Sequence, residues 1–122
     1  MLADTDFLLA LVKDTDWLKD KAIRLLKEHK KKIRTSVSVM IELALICKRL
    51  NIGILETFAN IFEIINVDEK TYEVSMRAAL FIEKYKLNVF DAFHAAFCTD
   101  NEIISSDSVY EKVGIKRISL EK

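Results

Sequence analysis

The sequence is short of the side chains on which most enzyme mechanisms run. Its 122 residues include two glycines, two histidines and two cysteines. It has no glycine-rich phosphate loop and no Gly-x-Ser-x-Gly elbow, and two histidines are too few for a histidine-based mechanism with a partner. Cys47 and Cys98 lack a Cys-x-x-Cys or Cys/His neighbour at zinc-ligand spacing, so both are expected to be buried, reduced thiols within apolar helices. Charge interrupts every apolar run before the roughly 18 residues of a membrane span, and the N-terminus lacks the basic start and cleavage site of a signal peptide. A cytoplasmic protein with no membrane partner is expected. Low-complexity tracts and internal repeats are also missing, and 51% apolar with 31% charged residues is a globular balance. A chain of this length forms one domain, residues 1–122, around a single core, so any substrate specificity is built into that unit.

Formal net charge is zero, but residues 1–50 hold 11 Lys or Arg against 7 acids and the remainder holds 8 against 12. Overall neutrality therefore leaves room for an RNA-binding face. The run Lys30, Lys31, Lys32 and Arg34 is a candidate for such a face, and equally what a solvated helix C-terminus looks like.

Hydrophobic periodicity predicts strands alternating with helices. Residues 1–3 read as a short strand, followed by a helix from about Asp6 with Phe7, Leu8, Leu11 and Val12 buried. A helix over 16–29 buries Trp17, Leu18, Ala22, Leu25 and Leu26, and residues 33–35 form a strand. Ser36 or Ser38 caps a helix that ends near Asn51-Ile52-Gly53, with the glycine suited to the left-handed stop. A short helix over 54–62 precedes a strand over 63–67. Asp68 then caps a helix through Tyr85, whose core stripe is Tyr72, Met76, Ala79 and Ile82. Asn88 or Asp91 opens a nearly all-apolar, buried helix over 90–99; strands at 102–105 and 115–120 flank a short helix over 108–113. The pattern indicates a three-layer α/β/α sandwich around a central, mainly parallel sheet.

Within this frame four acids stand inside or directly after apolar segments, with no Lys or Arg within four residues: Asp4, Glu42, Asp91 and Asp107. Burying an unpaired carboxylate costs several kcal/mol, so such groups neutralise, pair or bind a cation. Asp4 and Asp107 fall at strand carboxyl ends, and Asp91 opens a helix passing the same edge, where sites of parallel sheets lie. Taken singly, Asp4 and Asp91 also stand where helix caps belong. Together the four make a hard, oxygen-only donor set that favours Mg²⁺ or Mn²⁺ over zinc. Its natural chemistry is in-line hydrolysis of a phosphodiester by metal-activated water.

At these residues the chain resembles the PIN-domain ribonucleases, among them the small VapC-type toxins of toxin–antitoxin pairs. Leu2-Ala3-Asp4-Thr5-Asp6-Phe7-Leu8 is similar to the family's strand, Asp-Thr-Asn and apolar helix, with Asp6 in place of Asn. Residues 35–43 resemble the segment bearing the second acid, and Asn88-Val89-Phe90-Asp91-Ala92-Phe93-His94 the third. Ser105-Ser106-Asp107-Ser108-Val109-Tyr110 is similar to the Thr-x-Asp-x-x-Phe motif, with Ser for Thr and Tyr for Phe. The resemblance implies that Asp4 and Asp91 ligate Mg²⁺ or Mn²⁺ directly, that Glu42 and Asp107 do so directly or through water, and that Thr5 or Ser105 fixes the cluster by hydrogen bonds. Asp6 becomes an additional ligand or caps its helix. His94, one turn after Asp91, is either a phosphate or carboxylate contact or a hydrogen-bonded core residue.

The resemblance further implies an endoribonuclease acting on RNA, an antitoxin partner seated near the helices over 38–50 and 54–62 with a basic side chain directed into the acidic site, and a homodimer. Those two helices carry more apolar surface than one face of a small sheet needs, which a partner would cover. Trp17, Phe58 and Phe62 stand at helical core spacing, although they are also able to stack bases. Two other readings share the fold: a PIN-like binding or regulatory module without catalysis, and a nuclease acting on DNA or in ribosomal RNA processing.

Overall fold

The computed structural model describes residues 1–120; residues 121–122 of the expected 1–122 domain lie outside the described part. Six α-helices run in chain order: α1 (Thr5–Val12), α2 (Lys19–His29), α3 (Val37–Arg49), α4 (Ile54–Ile64), α5 (Glu69–Tyr85) and α6 (Val89–Phe97). Strand β1 (Glu102–Ile104), a 3-10 helix (Ser108–Val113) and strand β2 (Lys116–Ile118) complete the described elements.

Short polar side chains start most of these helices, as their sequence positions predict. Asp4, Ser36, Asp68 and Asn88 each accept a hydrogen bond from a backbone N–H of the first turn of α1, α3, α5 and α6. Helix α2 starts three positions later than the periodicity suggests, because Asp16 accepts from Leu18 N at 2.8 Å and holds a turn there. Trp17 projects from that turn at 88% exposure and is not a core residue. The stop after α3 also differs from expectation: Asn51 takes the left-handed conformation at φ 58°, while Gly53 has an ordinary φ of −61° and precedes α4.

The sheet is small and parallel. Strands β1 and β2 pair in the register Glu102–Lys116, Ile103–Arg117 and Ile104–Ile118. The two segments expected as strands near the N-terminus meet in one parallel bridge, Leu2 with Arg34. No strand forms over 63–67: α4 continues to Ile64, since Ile54, Phe58, Ile61 and Ile65 make one buried helical stripe that carries past Phe62.

The core gathers Leu8, Met40, Leu43, Phe58, Ile61, Phe93 and Ile115, all nearly or wholly inaccessible. Each such side chain contributes about 1.5–3 kcal/mol by leaving water. Helix α5 packs most extensively on α6, and Ala78, Ala79, Ala92, Ala95 and Ala96 supply the small buried surfaces that let two helices approach. The core stripe of α5 is Val74, Ala78, Phe81 and Ile82 with Ala79, while Tyr72 is 46% exposed. Helix α6 is not buried all round either, because Phe90 and Phe97 reach solvent on one side. Cys47 is buried as expected; Cys98, past the end of α6, is only partly buried. None of the helices among the described residues is long and apolar enough to cross a membrane.

Candidate metal centre

The N-terminal bridge positions the first acid. Ala3 N donates to Arg34 O at 2.7 Å, Arg34 N donates to Met1 O at 2.9 Å, and the buried Thr35 hydroxyl donates to Ala3 O at 3.3 Å. Chain direction therefore brings Asp4 and Ser36 out at the same, carboxyl end of two parallel segments. Asp4 caps α1, its Oδ1 accepting from Thr5 N at 2.7 Å and from the Thr5 hydroxyl at 3.4 Å. Oδ2 has no partner among the described residues. Asp6 is exposed in the first turn of α1 and, with Asp4, Phe7, Leu25 and His29, lines a cavity of about 330 Å³.

Helix α3 leaves the neighbouring segment. Its cap Ser36 accepts from Val39 N at 3.4 Å, and the Ser36 and Ser38 hydroxyls lie 2.9 Å apart. Glu42 follows Ser38 by one turn and projects into solvent. Helix α3 packs against both α1 and α6, which links the first two acids to the third.

Asp91 is the most firmly held of the four. Asn88 caps α6 through Asp91 N at 2.8 Å and returns its own amide Nδ2 to Asp91 Oδ2 at 2.7 Å. The other oxygen, Oδ1, accepts from the Tyr110 hydroxyl at 3.2 Å. That hydroxyl also lies 3.4 Å from His94 Nδ1. The Tyr110 phenol is pushed up to about 12, chiefly by burial and next by the negative charge of Asp91, so its proton stays available for donation at neutral pH. Asp107 caps the 3-10 helix that carries Tyr110, accepting from Val109 N at 2.9 Å, while its own N–H donates to the Ser105 hydroxyl at 3.0 Å. Asp107 is a further, smaller cause of the raised Tyr110 value, which places its charge near the same phenol.

The premise of four buried carboxylates is not met. Asp4, Glu42 and Asp107 are exposed and Asp91 is half-buried. An acid flanked by apolar residues in sequence need not share their burial: a helix turns its neighbours to other faces, and a cap stands at the helix end. Among the described residues no three His, Cys, Asp or Glu side chains form a ready-made metal cage. The four carboxylates are carried by a connected set of elements without being gathered in advance. The chemistry of the donors still fits a hard divalent ion, because every candidate atom is oxygen and the exposed acids need little desolvation to turn toward one.

Among the remaining candidates, His94 is exposed on α6 and held toward Tyr110, outside the apolar core. Lys30, Lys31, Lys32 and Arg34 are exposed, but the three lysines stand at the amino end of the 33–35 segment, opposite the end from which Asp4 emerges. Arg34 Nη1 is turned back onto the carbonyls of Lys31 and Ile33, at 3.2 and 2.9 Å. Phe58 is fully buried and Phe62 packs edge-on against Tyr72, which leaves Trp17 as the exposed member of the three aromatics considered. Sequence reasoning missed two residues at this site. Asn88 is legible in the sequence as a cap but not as a carboxylate donor, and Tyr110 stands there only as Tyr in place of Phe, although its hydroxyl is the group that reaches Asp91.

No curated protein and no solved structure matches the sequence. The PIN domain family does match, over residues 1–116. The match spans all four acids and every described element through the start of β2. Members of that family have a nuclease-like fold and are typically metal-dependent RNA or DNA nucleases. From this coverage, the chain belongs to the PIN domain family.

Proposed function

We propose that the protein is a Mg²⁺- or Mn²⁺-dependent endoribonuclease, and that it acts as the toxin of a toxin–antitoxin pair. The observation that carries the nuclease reading is Asp91 clamped on both oxygens, in a PIN chain that also holds acids at positions 4, 42 and 107. Two short parallel pairings flanked by helices support a reading of the fold as a three-layer sandwich.

In this reading Asp4 and Asp91 supply direct ligand oxygens, while Glu42 and Asp107 complete the site directly or through water. When bound, the ion offsets charge on the phosphate oxygens and makes a water more acidic. Water adds to phosphorus, the bond from phosphorus to the leaving ribose oxygen breaks, and the proton released passes to that oxygen by way of solvent or a carboxylate. Exposed Glu42 and Asp107 are available to hold that proton in transit. Thr5 and Ser105 orient their neighbouring acids through the contacts described above.

The toxin assignment rests on the resemblance to VapC-type chains, together with Leu45 and Leu50 on and just after α3, which are 41% and 46% exposed and would be covered by an antitoxin segment or a second copy. Incubating a mixed cellular RNA pool with the purified protein and Mn²⁺, Mg²⁺ or EDTA tests the activity. Discrete metal-dependent fragments, absent with Asp91→Asn, are expected. Cleavage that persists in EDTA or in the variant contradicts the proposal.

A second reading, a PIN-like binding module without catalysis, is favoured by one observation: Asp4 and Asp107 already serve as helix caps, which accounts for them without a metal. Unfolding temperature as a function of Mn²⁺ separates the two, since a ligand that binds the folded state raises it by mass action. A flat response across millimolar Mn²⁺ favours the binding module.

A further inference from the structure

We infer that Tyr110 is a positioning residue for the metal site, acting through Asp91. The inference rests on the reading of Asp91 as a metal ligand and adds a residue whose role that reading does not contain.

Three features of Tyr110 carry it. Its ring is buried at 5% exposure, with its backbone fixed in the 3-10 helix between the cap Asp107 and the left-handed Gly114, so the hydroxyl has little freedom. That hydroxyl donates to Asp91 Oδ1 at 3.2 Å and leaves a lone pair toward His94 Nδ1 at 3.4 Å. Asn88 holds the opposite oxygen, so the carboxylate is gripped from two sides by residues that come from different elements.

Each gripped oxygen keeps lone-pair capacity for another partner, because a carboxylate offers about four acceptor sites. The two donors therefore orient Asp91 without using up its ability to ligate. Asp4, Glu42 and Asp107 have no comparable clamp among the described residues: one oxygen of each capping aspartate is tied to its own helix, and Glu42 is free in solvent. Asp91 is thus the fixed point around which a metal site has to assemble, and Tyr110 is the residue that ties it to the element bearing Asp107. Groups that orient a ligand in this way typically change metal affinity by roughly ten- to a hundredfold when removed.

The decisive variant is Tyr110→Phe, which keeps the buried ring and deletes only the donor. Asn88→Ser is the companion, since serine retains a capping oxygen for α6 while removing the amide that reaches Asp91. Calorimetric titration of Mn²⁺ into the metal-free proteins, with the unfolding temperature of each measured in EDTA, gives a readout independent of cleavage. The expected result is a Kd for Mn²⁺ raised about tenfold or more in Tyr110→Phe, with its metal-free unfolding temperature within a few degrees of the parent. Asn88→Ser should weaken binding as well. A Tyr110→Phe protein that binds Mn²⁺ as tightly as the parent overturns the role of Tyr110 and leaves the metal site standing. A parent protein that binds no Mn²⁺ overturns the metal reading itself, and this inference with it.

Discussion

Thr35 donates its hydroxyl hydrogen to the carbonyl of Ala3 at 3.3 Å, joining two segments 32 residues apart at the point where Asp4 leaves one and Ser36 leaves the other. Both partners are buried, so deleting the donor leaves the Ala3 carbonyl short of a partner inside the protein. Thr35→Val keeps the shape of the side chain. It should cost about 1 kcal/mol in chemical denaturation, and should weaken Mn²⁺ binding because Asp4 is the next residue after the lost contact. Unchanged stability and unchanged binding would show that the bridge backbone alone fixes this corner.

Asp4 has two roles that substitution separates. Asparagine caps helices about as well as aspartate, whereas alanine loses about 1 kcal/mol at such a position. Asp4→Asn should therefore keep the parent unfolding temperature in EDTA and lose RNA cleavage, while Asp4→Ala should lose both cleavage and about 1 kcal/mol of stability. Full cleavage by Asp4→Asn would make this residue a cap and nothing more.

The N-terminus of α4 is completed from another helix. Glu83 on α5 accepts from Ile54 N at 2.6 Å and from Leu55 N at 3.0 Å, where Gly53 offers no side chain to do so. Glu83→Ala should destabilise the protein by roughly 1–2 kcal/mol, measured by urea unfolding, with cleavage unaffected at temperatures where the fold persists. A loss below a few tenths would mean that water replaces the cap at little cost.

Asp68 gives stability a definite pH dependence. Its carboxyl lies below the ordinary value of 3.8, first because Thr71 N donates to it and next because the Thr71 hydroxyl does. A depressed folded value means the stabilisation is present above the ordinary carboxylate range and is lost as pH falls through the lowered one. Asp68→Ala should therefore unfold more easily than the parent at pH 7, and the two curves should converge in acid. A gap that persists unchanged into strong acid would assign the difference to helix propensity instead of charge.

The sequence was most informative where structure depends on local chemistry. The caps at Asp4, Ser36, Asp68 and Asn88 follow from short polar side chains ahead of helical periodicity, and all four are present. It was least informative where packing at long range decides. The segment after Phe62 carries β-branched residues that suit a strand, yet the buried stripe of α4 extends through Ile65. Trp17 has core spacing, but the Asp16 turn lifts it off the helix. For the site, the order of the four acids and the place of Asp4, Asp91 and Asp107 at helix starts could be read, whereas the exposure of the four could not, because sequence neighbours do not report which way a side chain faces. The Tyr110–Asp91 contact spans 19 residues and is visible only after folding.

Whether these acids form a divalent-metal site is tested most directly by the room-temperature electron paramagnetic resonance signal of free Mn²⁺ during titration into metal-free parent and Asp91→Asn proteins. A working site gives saturable loss of signal with the parent and binding at least about tenfold weaker with the variant. A parent that leaves the Mn²⁺ signal untouched through millimolar concentrations, or a variant that binds as well as the parent, contradicts it.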